Sequence, residues 1–120
     1  MAKIMIADDS DAIRLVLKDI LQIGDHEIIG EAIDGLEAIS LFKSLNPDVL
    51  LLDLAMPKKD GLTVLHEIMP ENPNANVILI TASDDQKVIS SCMAAGAKSY
   101  ISKPFDFNAV LKSITDVLGK

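Results

Sequence analysis

Four short apolar runs in this sequence each end at a polar residue that can take part in chemistry. The residues at these ends are Asp8-Asp9, Asp53, Thr81 and Lys103-Pro104. Short leucine-rich or β-branched runs between helical segments are typical of parallel strands that are buried on both faces. Because open parallel sheets bind ligands beyond the carboxyl ends of their strands, we expect three carboxylates, a hydroxyl and an ammonium to gather at one edge. A divalent cation and a phosphoryl group suit that set of side chains.

Amphipathic helical patterns alternate with the strands along the chain, so that the sequence predicts five strands and five helices. Strict alternation favours one α/β domain, residues 1–120, with a doubly wound parallel sheet and right-handed crossovers. The second strand is predicted over Glu27–Ala32 and the second helix over Gly35–Leu45. The residues expected to face the core include Val16 in the first helix, Val88 and Met93 in the fourth, and Phe107 in the last.

The composition of the chain argues against several classes of protein and of binding partner. A formal net charge of −7 disfavours nonspecific binding to nucleic acid, because phosphates repel an acidic surface. No apolar stretch approaches the roughly 20 residues needed to span a bilayer, and the N-terminus does not resemble a secretion signal. The single cysteine, Cys92, cannot form an internal disulfide, which fits a reducing compartment. We therefore expect a cytoplasmic monomer without membrane insertion.

The acidic residues at the strand ends predict a magnesium site. Two carboxylates about 4 Å apart repel each other by roughly 4 kcal/mol at an effective dielectric constant of 20. Three converging acids therefore need a cation or raised pKa values, and hard oxygen ligands suit Mg²⁺. Asp8 and Asp9 alone would also fit a role in capping the first helix after Ser10. That alternative does not explain Asp53, which ends an apolar run on another strand.

Asp53 is the candidate nucleophile, because a carboxylate can attack phosphorus and form an aspartyl phosphate. In this hypothesis Lys103 supplies positive charge and the Thr81 hydroxyl donates to a phosphoryl oxygen. Each residue also has an ordinary interpretation, Lys103 as a surface lysine and Thr81 as a β-branched strand residue. Pro104 permits a cis peptide bond after Lys103, but the sequence leaves cis and trans equally open.

The motifs together resemble the receiver domains of two-component response regulators over the whole chain. The resemblance rests on Asp8-Asp9, the segment Asp53–Gly61, Thr81-Ala82, and Tyr100 ahead of Lys103-Pro104-Phe105. It implies a flavodoxin-like fold with strand order 2-1-3-4-5. It also implies that a phosphohistidine on a sensor histidine kinase phosphorylates Asp53. Such a protein is not an enzyme in the usual sense, since it catalyses only its own phosphoryl transfer and autodephosphorylation.

The resemblance also assigns roles around the phosphorylation site. It implies that Asp9, Asp53 and the Ala55 carbonyl bind Mg²⁺, with Asp8 acting through water. Phosphorylated Asp53 would draw in Thr81, and Tyr100 would rotate inward. A partner, such as a flagellar switch protein or a motor adaptor, would then read the changed surface of helix four, strand five and helix five.

The sequence leaves several alternative functions open. The acidic pair followed by Arg14 and Lys18 resembles the single-domain chemotaxis receivers, which favours a role in motility control. A single-domain phosphorelay intermediate, or a receiver belonging to a longer regulator, is also compatible with the motifs. A haloacid-dehalogenase-type phosphatase would need a second acid two residues after its nucleophile and a cap. A flavodoxin-like electron carrier would need a glycine- and hydroxyl-rich phosphate loop where this chain has Asp8-Asp9-Ser10-Asp11.

Overall fold

The computed structural model describes residues 2–82 and 85–119, in which strands and helices alternate. The strands are β1 (Lys3–Ala7), β2 (Glu27–Ala32), β3 (Val49–Asp53), β4 (Val77–Thr81) and β5 (Ser99–Ser102). The helices are α1 (Asp11–Ile23), α2 (Gly35–Leu45), α3 (Gly61–Ile68), α4 (Gln86–Ala94) and α5 (Phe107–Val117). Within these two ranges, no helix combines the length and the apolar character needed to cross a bilayer.

All five strands form one parallel sheet in the order β2-β1-β3-β4-β5, which confirms the predicted fold class. The central strands β3 and β4 are buried along their full length, because helices cover both faces of the sheet. The strand order reverses between β1 and β3, so the crevice that such sheets use for ligands opens there. The carboxyl ends of these two strands are Ala7, which precedes Asp8, and Asp53.

Alternating residues of the strands pack into two separate core layers, one on each face of the sheet. In β1, Ile4 and Ile6 pack with the buried residues of α1 and α5, whereas Met5 and Ala7 pack with those of α2, α3 and α4. This alternation follows from the two-residue period of a strand. Each fully buried aliphatic side chain contributes about 1.5–3 kcal/mol through the removal of apolar surface from water. The layers thereby hold the strand ends in a fixed arrangement.

Four residues predicted to face the core are exposed instead, and that prediction was wrong. Val16, Val88, Met93 and Phe107 retain 47%, 39%, 36% and 48% of their accessible surface. The sheet covers only a stripe of each helix, and residues at the margin of the apolar stripe stay in contact with solvent. Val88 and Phe107 also lie in the first turns of α4 and α5, close to the edge of the sheet where the helices begin.

A capping side chain precedes each of the five helices in the described ranges. The pairs of capping side chain and backbone N–H are Ser10 with Ile13, Asp34 with Glu37, Asp60 with Thr63, Asp85 with Lys87, and Asp106 with Ala109. Such caps satisfy N–H groups that have no partner inside the helix. Since each helix follows a parallel strand, all of these caps lie at the carboxyl edge of the sheet.

The turn before α2 packs directly against the loop that follows β3. The Gly35 N–H donates to the Pro57 carbonyl at 3.3 Å, and a Cβ atom on Gly35 would lie 1.9 Å from the carbonyl oxygen of Lys59. Next to this contact, Lys58 Nζ lies 3.4 Å from Asp34 Oδ2. Only glycine permits so close an approach of two backbones, and the loop held in this way carries the residues just after Asp53.

We predict that Gly35→Ala lowers the free energy of unfolding by about 2 kcal/mol or more, because the added methyl group meets rigid backbone. Urea denaturation measures this change. Ser40→Ala, on the exposed face of the same helix, is the control and should change stability by less than about 0.5 kcal/mol. Equal stability of the two variants would contradict the close packing of the loop.

Candidate functional site

Three carboxylates meet at the carboxyl edge of the sheet. One oxygen atom from each of Asp8, Asp9 and Asp53 lies within 4.8 Å of the other two. Asp8 follows β1 and Asp53 ends β3, and these two strands are neighbours in the sheet. Asp8 and Asp53 are buried, with 1% and 4% of their surface accessible, whereas Asp9 is exposed. The structure therefore brings together all three acids that the sequence singled out.

Lys103 joins the acidic cluster from the far side. Its Nζ atom lies 3.2 Å from Asp8 Oδ2 and 3.7 Å from Asp53 Oδ1, and its side chain is only 19% exposed. Its backbone N–H donates to the Thr81 carbonyl at 2.7 Å, which fixes the residue to the end of β4. The peptide bond between Lys103 and Pro104 is cis. Lys103 is therefore part of the site and not an ordinary surface lysine.

Backbone N–H groups orient two of the carboxylates. The Ala55 N–H donates to Asp53 Oδ1 at 3.1 Å, and the Ser10 N–H donates to Asp8 Oδ1 at 2.9 Å. Burial raises the pKa of Asp53 above its ordinary value. The Ala55 hydrogen bond and the charge of Lys103 oppose this rise in the pKa, while the charges of Asp8 and Asp9 add to it. Asp53 is thus a largely desolvated carboxyl group whose pKa lies above its ordinary value.

An open cleft of about 610 Å³ lies over Asp53. It is lined by Asp9, Asp53, Leu54, Ala55, Thr81, Ala82, Val88 and Lys103. Thr81 is buried at the end of β4, with 2% of its surface accessible. Ser83, two residues after Thr81, lies outside the described residues.

The donor set fits Mg²⁺. Carboxylates provide the hard oxygen ligands that this ion prefers, and Mg²⁺ usually takes only one or two of them while it keeps several waters. Asp9 and Asp53 face the open cleft and could bind the ion directly, while Asp8 lies behind them beside Lys103. Ala55 also lines the cleft, and the resemblance implies that its carbonyl is the third direct ligand beside Asp9 and Asp53.

Sequence reasoning missed several contacts that shape the site. Val88 was assigned to the core of α4, but it lines the cleft. Arg14 was noted only as part of a resemblance, yet its guanidinium donates to the backbone carbonyl of Asp8. The only local signal for this second contact was the position of Arg14 one helical turn after Ser10. Tyr100 lies on the edge strand β5 with 41% of its surface exposed.

Comparisons with known proteins agree with this geometry. Residues 4–115 match the family described as the response regulator receiver domain. The chain is 36% identical to the chemotaxis protein CheY of Thermotoga maritima, with 96% of each chain covered. It is also 36% identical to protein CcdB of Bacillus subtilis, with 99% of each chain covered. A chain in the crystal structure of the CheX-CheY-BeF3-Mg²⁺ complex from Borrelia burgdorferi superposes with a TM-score of 0.93. That chain is 38% identical, and the superposition covers 98% of this chain and 90% of that one.

We predict that Asp53→Asn raises the free energy of unfolding at pH 7 in the presence of a chelator. The pKa of Asp53 is higher in the folded protein than in the unfolded chain, where it is about 3.9, so ionisation of this carboxyl opposes folding. The cost is absent below the unfolded pKa and develops as the pH rises through the folded pKa. Urea denaturation from pH 3 to pH 7 should show no gain for the variant at pH 3, where the carboxyl is protonated in both states, and a clear gain at pH 7.

Asp116→Asn is the matched control, since Asp116 lies on the exposed surface of α5. It should not reproduce the gain in stability. An Asp53→Asn variant that is equally or less stable than wild type at pH 7 would contradict the assigned environment of Asp53.

Proposed function

Because this chain belongs to the response regulator receiver domain family, we propose that it accepts a phosphoryl group on Asp53 from a histidine kinase. The proposal further holds that a surface dependent on phosphorylation passes the signal to a partner protein. The observation that carries it is the convergence of Asp8, Asp9 and Asp53 beside Lys103 at the mouth of an open cleft.

In the proposed reaction, an Asp53 carboxylate oxygen attacks phosphorus. A P–O bond forms while the P–N bond of the phosphohistidine breaks, and the electron pair of that bond returns to the imidazole nitrogen. Lys103, which lies 3.7 Å from Asp53, favours the ionised carboxylate and offers its ammonium to the transferred group. The Thr81 hydroxyl donates to a phosphoryl oxygen from the end of β4. These groups catalyse only the protein's own phosphorylation and dephosphorylation.

Asp9 and Asp53 would hold Mg²⁺ together with the Ala55 carbonyl, and Asp8 would act through a bound water. When bound, Mg²⁺ neutralises the negative charge shared between these acids and the phosphoryl oxygens. Among residues 2–82 and 85–119, Lys103 is the one ammonium group that lies within 4 Å of any of these three carboxylates. The requirement for a divalent ion follows from this imbalance of charge.

The proposed output surface consists of α4, β5 and α5, and we call it the α4–β5–α5 face. Met93, Tyr100 and Phe107, one from each element, expose 36%, 41% and 48% of their surface on it. Contiguous exposed apolar patches are typical of protein interaction sites, and the proposal assigns these three side chains to one such patch. Phosphorylated Asp53 would recruit Thr81 and thereby favour an inward position of Tyr100, so the phosphoryl group selects one of two states.

Control of motility is the favoured role, because the similarity to CheY covers almost the whole of both chains. The kinase would then be of the CheA type, and the partner would be a flagellar switch protein or a motor adaptor. The proposed location is the cytoplasm, with the protein acting as a monomer.

A phosphorelay intermediate would use the same chemistry but would pass the phosphoryl group on to a second histidine protein. To distinguish the two roles, the phosphorylated protein is mixed with a histidine phosphotransfer protein. Transfer of the phosphoryl group to that protein indicates the phosphorelay role.

We predict that incubation with Mg²⁺ and acetyl phosphate adds one phosphoryl group to the wild-type protein and none to Asp53→Ala. Intact-mass spectrometry measures the addition, and a chelator should abolish it. Asp116→Ala, which removes an exposed aspartate from α5, is the control and should be labelled like wild type. Equal labelling of Asp53→Ala and wild type would refute the proposal.

We predict that Thr81→Ala retains labelling on Asp53 but loses the accompanying change at Tyr100, because the hydroxyl that links the two is missing. Amide and aromatic NMR spectra recorded before and after acetyl phosphate treatment measure this change. Thr115→Ala, a change on the exposed surface of α5, should behave like wild type. A Tyr100 response that survives Thr81→Ala would remove Thr81 from the switch.

A further inference from the structure

Asp8 is held by two cationic side chains that contact different parts of the residue. Lys103 Nζ lies 3.2 Å from the Asp8 carboxylate, and Arg14 Nη1 donates to the Asp8 backbone carbonyl at 2.7 Å. The Arg14 side chain is 12% exposed, so this hydrogen bond is largely shielded from water. Since Asp9 is the next residue in the chain, the same contact restrains the peptide unit that joins the two acids.

The Arg14 guanidinium is itself held in place. Its Nε atom donates to Glu31 Oε1 at 3.2 Å, and its Nη2 atom pairs with Asp11. Glu31 lies on β2, and its second oxygen accepts a hydrogen bond from Lys18 Nζ at 3.1 Å. The guanidinium thus spans α1, β2 and the end of β1, which only a planar group with several donors can do.

We infer that Arg14 is a positioning residue that fixes the acidic pair in the geometry that binds the divalent cation. This inference rests on the proposed function, because it assigns a role toward the same Mg²⁺ site. Arg14 does not contact the ion. It acts through the backbone of Asp8, much as residues that hydrogen-bond a metal ligand set the orientation of that ligand.

The charge of Arg14 and its hydrogen bonds have opposite expected effects on the affinity for Mg²⁺. A positive charge near the acids competes with Mg²⁺, so by charge alone the loss of Arg14 would strengthen Mg²⁺ binding. By geometry, its loss frees the Asp8–Asp9 peptide and weakens binding. Arg14→Lys separates the two effects, because it keeps the charge but lacks the forked donors that contact Asp8 and Glu31 at the same time.

The experiment is a Mg²⁺ titration of the unphosphorylated full chain, followed by ¹⁵N–¹H NMR. The amides of Ser10 and Ala55 are direct reporters, since they donate to Asp8 and Asp53 respectively. Arg14→Lys should raise the dissociation constant for Mg²⁺ by about tenfold, and Arg14→Gln should raise it by a smaller factor because it also removes the competing charge. Hydrogen exchange at the Ser10 amide should also become faster in both variants without Mg²⁺.

Lys18→Ala is the matched control, because Lys18 binds the same Glu31 carboxylate without touching Asp8. It should bind Mg²⁺ like wild type. Glu31→Gln should also raise the dissociation constant for Mg²⁺, because Glu31 orients the Arg14 guanidinium. This variant tests the inference if the Arg14 variants fail to fold.

Unchanged binding by Arg14→Lys together with tighter binding by Arg14→Gln would overturn the inference and leave only a charge effect. Equal weakening by Lys18→Ala and Arg14→Lys would also overturn it, since that result indicates a general disturbance of α1. Wild-type protein that binds no Mg²⁺ would refute the proposed function and this inference with it. Mg²⁺ binding by wild type that Arg14→Lys leaves unchanged would refute the inference alone.

Discussion

The repulsion among three carboxylates at one edge of the sheet is the constraint on which the rest of this structure depends. Two full charges 4.8 Å apart repel by about 3–4 kcal/mol at an effective dielectric constant of 20, and two of these acids are buried. A fold with a net stability of about 5–15 kcal/mol tolerates this arrangement only with strong support. Lys103 supplies part of that support by bridging the ends of β1 and β3. Two aliphatic core layers supply the rest.

The contacts that surround Asp53 differ between its two sides. On one side of Asp53, the turn before α2 packs against the loop after β3, with Gly35 against Lys59 and Asp34 paired with Lys58. On the other side, the Lys103 N–H donates to the Thr81 carbonyl and joins the ends of β4 and β5. The residues that the proposed switch uses all lie on this second side.

Much of this arrangement follows from the sequence, because it depends on strand ends. The bounds of β2 and α2 agree with the predicted Glu27–Ala32 and Gly35–Leu45, since glycine, proline and aspartate mark them locally. The grouping of Asp8, Asp53 and Lys103 was also predictable, because parallel strands present their carboxyl ends at one edge. The family resemblance supplied the strand order, which periodicity alone does not determine.

Other features depend on how elements approach one another, and no local pattern encodes that approach. Helical periodicity places Val16 and Met93 on the apolar stripes of their helices. The width of the layer packed against each helix determines which residues at the margins of the stripe are buried, and these two stay exposed. The contact of Arg14 with the Asp8 carbonyl depends on how α1 lies against β2, where Glu31 orients the guanidinium.

The capping aspartates have an electrostatic consequence for the approach of ligands. Asp34, Asp60, Asp85 and Asp106 place four more negative charges at the edge that already carries the cluster, and the helix dipoles and the pairing of Asp34 with Lys58 offset them only in part. Small phosphate esters therefore approach against a repulsive field, which 0.1 M salt screens beyond about 10 Å. In the proposed function, a phosphohistidine carried on a docked protein would meet a smaller barrier, because contacts elsewhere on the surface would hold it in place. The acidic edge of the sheet would then slow phosphorylation by small donors, without preventing it, relative to transfer from a docked protein.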